Sequence, residues 1–309
     1  MKWFLGAAIL CFGLSGVLVF NQSLQGEIKA ESSRENAPEE SVQQQGQHVS
    51  SVYIPSSMSF CGDPVPLDRA DVREALDREI TVNTYYHSST IGILKRAARH
   101  LPVIEKILAE HGVPDDLKYV AMAESGLMAE SVSGAGAKGI WQIMKATGKE
   151  YGLECAIEID ERYHLEKSTV LAAKYFKKAY AKFGNWATAA ASYNAGMTRV
   201  QRQIDRQKQN DYYDLYLNTE TGRYVYRVLA LKQIYNNPEQ YGFHIDSDQR
   251  YQPRAYTTVD VKRIDNMANF AAKHGVSYKE VKLLNPWLRS FAVEPRKSGK
   301  VYKVKILSK

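Results

Sequence analysis

The sequence predicts a mainly α-helical chain that ends in a small βααβ module. Two observations carry this. From about Cys61 to Phe243 the apolar residues recur at helical spacing almost without a break, and from Tyr256 onward the pattern alternates between strand-like and helix-like stretches. At 309 residues the chain has room for one large or two modest domains.

In chain order, Lys2 precedes an uninterrupted apolar run from Trp3 to Phe20, which reads as a signal peptide or N-terminal membrane anchor over residues 1–21. Cys11 lies in this run after Leu10, and a lipoprotein signal calls for a small residue there. Residues 22–60 are rich in Gln, Ser and Glu and too polar to bury a core, so a disordered linker is expected. The helical domain takes residues 61–245. Within it, "PDDLKYVAMAES" reads as a helix entered through Pro114, Asp115 and Asp116, with acids at its positive end. "STVLAAKYFKKAYAKFG" reads as a helix capped by Ser168 and stopped by Gly184. "TETGRYVYRVLALKQIYNNP" carries Tyr224, Val228, Leu231 and Tyr235 on one face.

The tail, residues 254–309, forms a separate module. "YTTVDV" is a strand, "RIDNMANFAAKHG" a short helix with Asp265 as cap and Gly275 as stop. "VSYKEVKLLNPWL" opens with a Ser277/Glu280 capping box, and "VYKVKIL" alternates Tyr302, Val304 and Ile306 against two lysines.

A formal charge of +7 favours an anionic partner: nucleic acid, a membrane surface or an acidic polymer. An export signal argues against nucleic acid. Cys61 and Cys155 follow the signal and either pair or stay as free thiols; both readings are open. Neither C-x-x-C nor H-E-x-x-H occurs, so no metal or other cofactor is expected.

Glu124 is the sharpest signal. Leu117, Val120 and Ala121 define the apolar face of their helix, and the next position in that i, i+3, i+4, i+7 series is a carboxylate. Such a residue is either a core glutamate satisfied by an arginine or backbone donors, or an acid held protonated by burial. Its surroundings favour the second. The helix runs into "SVSGAGAKG", then "IWQIM", and farther on "AAASYNAG" brings a phenol and an amide. The three glycines match G-x-G-x-x-G, but no strand precedes them, so a tight loop that lets backbone approach a ligand is the better reading. A carboxyl group near Trp, Tyr, Asn and Gln suits a sugar site.

"AESGL…SVSGAGAKGIWQIM…ASYNAG…TETGRYV" resembles the catalytic domain of the lytic transglycosylases, goose-type-lysozyme-like murein enzymes, and most nearly their membrane-bound D type, over roughly residues 80–243. The resemblance implies a lysozyme-like fold and makes Glu124 the sole catalytic acid/base, with Ser125 its structural companion. It implies substrate binding by Ser133, by Gly139 and Gln142 of "GIWQ" (G-L-M-Q in the family), by Tyr193 and Asn194, and by Glu220 and Tyr224. Ser192 stands where alanine is usual, and Gly222 and Arg223 depart in order from the E-T-R-x-Y-V element. Core packing is the competing role for Tyr193 and Tyr224, since the chain has 20 tyrosines.

The tail resembles a LysM peptidoglycan-binding module in "FAAKHGVSYKEVKLLNPWL", with "VKRIDNM" replacing the expected G-D-T. Together these resemblances imply an exported enzyme, periplasmic or membrane-anchored, whose partners are peptidoglycan glycan strands and the envelope membrane. It would cleave the MurNAc-β-1,4-GlcNAc bond and leave 1,6-anhydroMurNAc ends. The rivals are a lysozyme-like hydrolase of the same bond and a non-catalytic cell-wall-binding protein.

Overall fold

A computed structural model describes residues 50–294 and 299–308. The expected signal or anchor, and the linker up to residue 49, lie outside the described residues.

The chain joins the fold earlier than the polar composition suggests. Val52, Ile54 and Met58 pack against the main core and Phe60 is buried in it, because an apolar residue recurs every two to four positions after the Gln-rich stretch. A short hairpin follows, β1 (Ser59–Phe60) and β2 (Asp63–Pro64), turned by Cys61 and Gly62 at positive φ. Both Cys61 and Cys155 are free thiols.

Eight α-helices then build the helical domain: α1 (Ala70–Tyr85), α2 (His87–Glu110), α3 (Lys118–Ser125), α4 (Lys145–Glu150), α5 (Leu165–Phe183), α6 (Trp186–Ala195), α7 (Met197–Gln207) and α8 (Thr219–Asn236). Helix α8 packs on α1 and α3, while α5 lies between α2 and α6. Its predicted face is the one that packs: Tyr224, Val228 and Leu231 are buried, with Tyr235 at the edge.

Helix α5 starts one turn before the expected Ser168. His164 occupies the cap position, and Ser168, already inside the helix, donates its hydroxyl to the Leu165 carbonyl at 3.1 Å. A serine can cap or bond back along its own helix, and the apolar Leu165, which packs on the core, carries the helix upstream. Gly184 stops it as expected, at φ +69°.

The tail has the predicted order: β3 (Tyr256–Val261), α9 (Met267–Lys273), α10 (Tyr278–Leu284) and β4 (Tyr302–Leu307), with β3 antiparallel to β4 and Val259 opposite Val304. Tyr302, Val304 and Ile306 face inward. The Ser277/Glu280 capping box is present, with reciprocal bonds of 2.6 and 3.1 Å. The cap of α9 is Asn266 rather than Asp265, whose carboxylate pairs instead with Arg263.

The module is not separate. Residues 50–309 form one compact unit, and Ile159 and Tyr163 of the helical domain belong to the tail's own core beside Trp287 and Leu288. Backbone bonds seal the seam, Asp160 N to Trp287 O at 2.9 Å and Arg289 N to Glu158 O at 2.7 Å. Side chains add Lys300–Glu154 at 2.5 Å and the Tyr302 hydroxyl on Glu154 at 3.0 Å. A fold of about fifty residues has little core of its own, and a shared apolar seam supplies more.

Candidate active site

Helix α3 explains where Glu124 goes. Leu117, Val120 and Ala121 are wholly buried, and Gly126, in the left-handed region at φ +59°, ends the helix just after Ser125. Ser125 ties that end to the following loop by donating to the Ile140 carbonyl at 2.7 Å. The core-facing stripe therefore runs out at the helix's last turn, where Glu124 looks into a groove of about 650 Å³. Glu79 and Asn83 of α1, Ser88, Ile93 and Arg96 of α2, Met128 and Ser131 of the loop, and Arg223 and Arg227 of α8 form its walls.

The Tyr224 hydroxyl donates to Glu124 Oε1 at 2.5 Å. Burial pushes the Glu124 carboxyl up to about 7, against the Tyr224 bond and the Arg227 charge, which lower it; Glu220 adds to the rise. The group is thus an acid near neutrality that becomes a carboxylate over a modest change in pH. The neighbouring phenols stay protonated, because burial first and then Glu124 push both Tyr193 and Tyr224 well above the ordinary tyrosine value.

The other expected residues are spread around this pair, and none walls the 650 Å³ groove. Tyr193 donates to the Trp141 carbonyl at 2.7 Å and stacks on Phe176, so it fixes the floor behind the acid. Asn194 bridges outward, donating to Glu220 at 3.1 Å and accepting from Thr221 at 3.0 Å. Ser133 closes its own turn: its hydroxyl accepts from Ala137 N at 3.1 Å. Gln142, at φ +46°, donates its amide to the Gly139 carbonyl at 2.8 Å.

Two expectations need correction. The glycine loop does not open the backbone to a ligand at Gly139. At φ +79° a Cβ there would lie 2.2 Å from the Arg162 carbonyl oxygen, so the close approach is to protein. Nor does the Trp of "IWQIM", Trp141, stand open to a sugar beside the acid. It is wholly buried, with its indole N–H on Thr169 at 2.8 Å, because an indole with an internal partner is a core residue.

Local reasoning missed the groove's far wall. Glu79 is wholly buried and held by Arg223 at 2.6 Å, Arg78 at 3.3 Å and Arg227 at 3.7 Å. The signal that marks Glu124 marks it too, since Glu79 interrupts the apolar series of Val72, Leu76 and Ile80. Arg162 was also missed. Paired with Asp160 at 2.7 and 2.8 Å, it donates to the carbonyls of Gly136 and Ile143 and so clamps the loop that Ser125 meets.

Residues 102–216, which include Glu124, Ser133, Gln142 and Asn194, match the family described as the transglycosylase SLT domain. This chain carries an SLT domain. Behind it, residues 256–309 match the soluble lytic transglycosylase C-terminal LysM-like domain. The membrane-bound lytic murein transglycosylases D of two Escherichia coli strains, K12 and O6:H1, are each 30% identical to it over 235 residues, 74% of this chain and 51% of theirs. The chain thus spans about half the length of those curated relatives. Among solved structures, lytic transglycosylase Slt of Pseudomonas aeruginosa, an inactive mutant, aligns at 23% identity and TM-score 0.38 over 50% of this chain and 26% of that one. The 70 kDa soluble lytic transglycosylase of Escherichia coli aligns at 20% identity and TM-score 0.39, over 49% and 26%. The SLT match begins after α1 and ends before α8, so both helices that carry Glu79, Arg223 and Arg227 lie outside it.

Proposed function

We propose that the chain is a peptidoglycan lytic transglycosylase with Glu124 as its acid and base. The observation that carries this is the pairing of Glu124 with Tyr224 at the head of the groove, at a pKa near 7. The groove's second carboxylate, Glu79, is occupied by arginines, so one carboxyl group must serve both steps. Ordinary glycosidases use two.

Glu124 starts protonated and gives its proton to the bridging oxygen of the MurNAc-β-1,4-GlcNAc bond. The C1–O bond breaks, and the substrate's own N-acetyl oxygen holds the cation at C1. Glu124, now a carboxylate, takes the proton of the MurNAc C6 hydroxyl, whose oxygen closes onto C1 as the 1,6-anhydro ring. Acid donation leaves behind the base the next step needs. Tyr224 keeps its proton throughout and steadies the carboxylate. Ser133, Gly139, Gln142, Tyr193, Asn194 and Glu220 then act mainly by shaping the site, and direct sugar contact falls to the groove wall.

The site belongs in the cell envelope, facing the wall, as the membrane-bound relative suggests. No helix among the described residues is long and apolar enough to cross a membrane, so attachment would rest on the apolar run at residues 3–20.

The product decides between transglycosylase and hydrolase. Effective molarities of about 10⁵–10⁸ M for well-oriented intramolecular attack exceed the roughly 55 M of water, so the C6 hydroxyl wins where no carboxylate positions a water. Purified sacculi digested by the protein, reduced with borohydride and weighed, should yield ends one water lighter than lysozyme products and resistant to reduction. Predominantly reducible MurNAc ends would establish the hydrolase instead.

A further inference from the structure

A second cavity, of about 120 Å³, lies on the seam between the SLT domain and the tail. It is far larger than the roughly 10–15 Å³ that one water needs. Its charged lining is out of balance. Arg99 and His100 of α2, Arg254 of the linker into β3, and Lys305 of β4 converge on it, and the one carboxylate in its wall is Glu166. That carboxylate is already matched. Lys305 ion-pairs with it and His164 Nδ1 lies 3.2 Å away, and although burial acts to raise its pKa, these partners hold it well below the usual carboxylate range.

The two guanidinium groups have no such partner. Arg99 donates to the Gln252 carbonyl at 3.1 Å and lies over the Tyr251 ring. Arg254 makes no hydrogen bond or ion pair among the described residues. After burial, Arg254 is the next cause lowering the Arg99 pKa, and in half-buried His100 burial first, then Arg99 and Arg254 among the nearby cations, lower the pKa. Like charges held together in a half-enclosed space are costly unless an anion joins them. Guanidinium groups meet carboxylates through paired N–H donors. Beside them Val103, Leu283 and Trp287 give an apolar wall, which suits a short hydrocarbon group attached to the anion.

We propose that this cavity binds a small carboxylate that carries a short apolar group, with Arg99 and Arg254 on the anion and Val103, Leu283 and Trp287 on its apolar side. The free end of a short peptide has this chemistry. The site is remote from Glu124 in function and does not depend on the reading of the groove, and one hydrogen bond links the two. Ile140 lines the cavity, and its carbonyl accepts the Ser125 bond that fixes the end of α3.

The test is calorimetric titration of the full chain with N-acetylalanine and with its amide. The acid should bind saturably and the amide at least tenfold more weakly. Arg254→Gln should weaken the acid at least fivefold, and Arg254→Lys, which keeps the charge but loses the fork, should fall between. Glu124→Gln should leave binding unchanged, which separates this cavity from the groove whatever the groove cleaves. Equal binding of acid and amide, an unchanged affinity in Arg254→Gln, inorganic phosphate binding as tightly as the acid, or loss of binding in Glu124→Gln would each overturn the proposal.

Discussion

Glu124 must begin each cycle protonated, and burial gives it a pKa of about 7 for that task. Glu124→Gln should therefore keep the fold and lose turnover by at least the roughly 10²–10⁴-fold that general acid–base catalysis supplies; retention of a tenth of wild-type activity would exclude Glu124 as the acid. The same burial costs stability once the group ionises. An unfolded glutamate titrates near 4.5 and the folded one near 7, so the folded state binds the extra proton in between. Stability is lost as pH rises from 4.5 to 7 and stays lost above. Replacing Glu124 by Gln should raise the melting temperature at pH 8 and change it much less at pH 4; the reverse order would contradict the raised pKa. Tyr224 acts the other way, since its bond lowers the Glu124 pKa. Tyr224→Phe should shift the alkaline limb of the pH–kcat profile to higher pH, and a shift to lower pH would mean that Tyr224 does not stabilise the carboxylate.

At the scale of elements, the loop from Ser131 to Ile143 is held by a buried ion pair rather than by its own glycines. Asp160 and Arg162 are 1% and 3% exposed, and Arg162 reaches the Gly136 and Ile143 carbonyls. Removing one partner of a buried pair strands the other, at a cost of about 3–5 kcal/mol. Asp160→Asn should thus unfold at clearly lower urea with an unchanged slope, and an unmoved midpoint would show that Arg162 is satisfied by the carbonyls alone. The sequence carried the loop and its acid in local signals: a carboxylate in an apolar series, a serine next to it, glycines that break the helix. It did not carry the reason for Gly139, because the atom that forbids a side chain there is the Arg162 carbonyl oxygen, 23 residues downstream. The start of α5 failed for a related reason, since Ser168 has two hydrogen-bonding options and only the packing of Leu165 selects one.

For the whole molecule, the tail is a brace on the site. Trp287 and Arg289 bond the strand-like stretch from Glu158 to Asp160, and that stretch carries Asp160, the partner of the Arg162 that clamps the loop. Deleting residues 256–309 should uncover Ile159 and Tyr163, lower the melting temperature and reduce cleavage of short soluble glycans as well as of sacculi. Unchanged kinetics on short glycans with an unchanged melting temperature would show that the tail serves wall binding alone. The sequence by itself determined the helical class, the βααβ order of the tail, its capping box and the place of Glu124 in an apolar series, because each rests on spacing within one turn or one strand. Only the tertiary structure decided that the tail is fused to the helical domain, that Trp141 is core, and that Glu79, Arg223 and Arg227 face Glu124 across the groove. Those facts depend on which distant surfaces meet, and apolar periodicity says that a face is buried without saying against what.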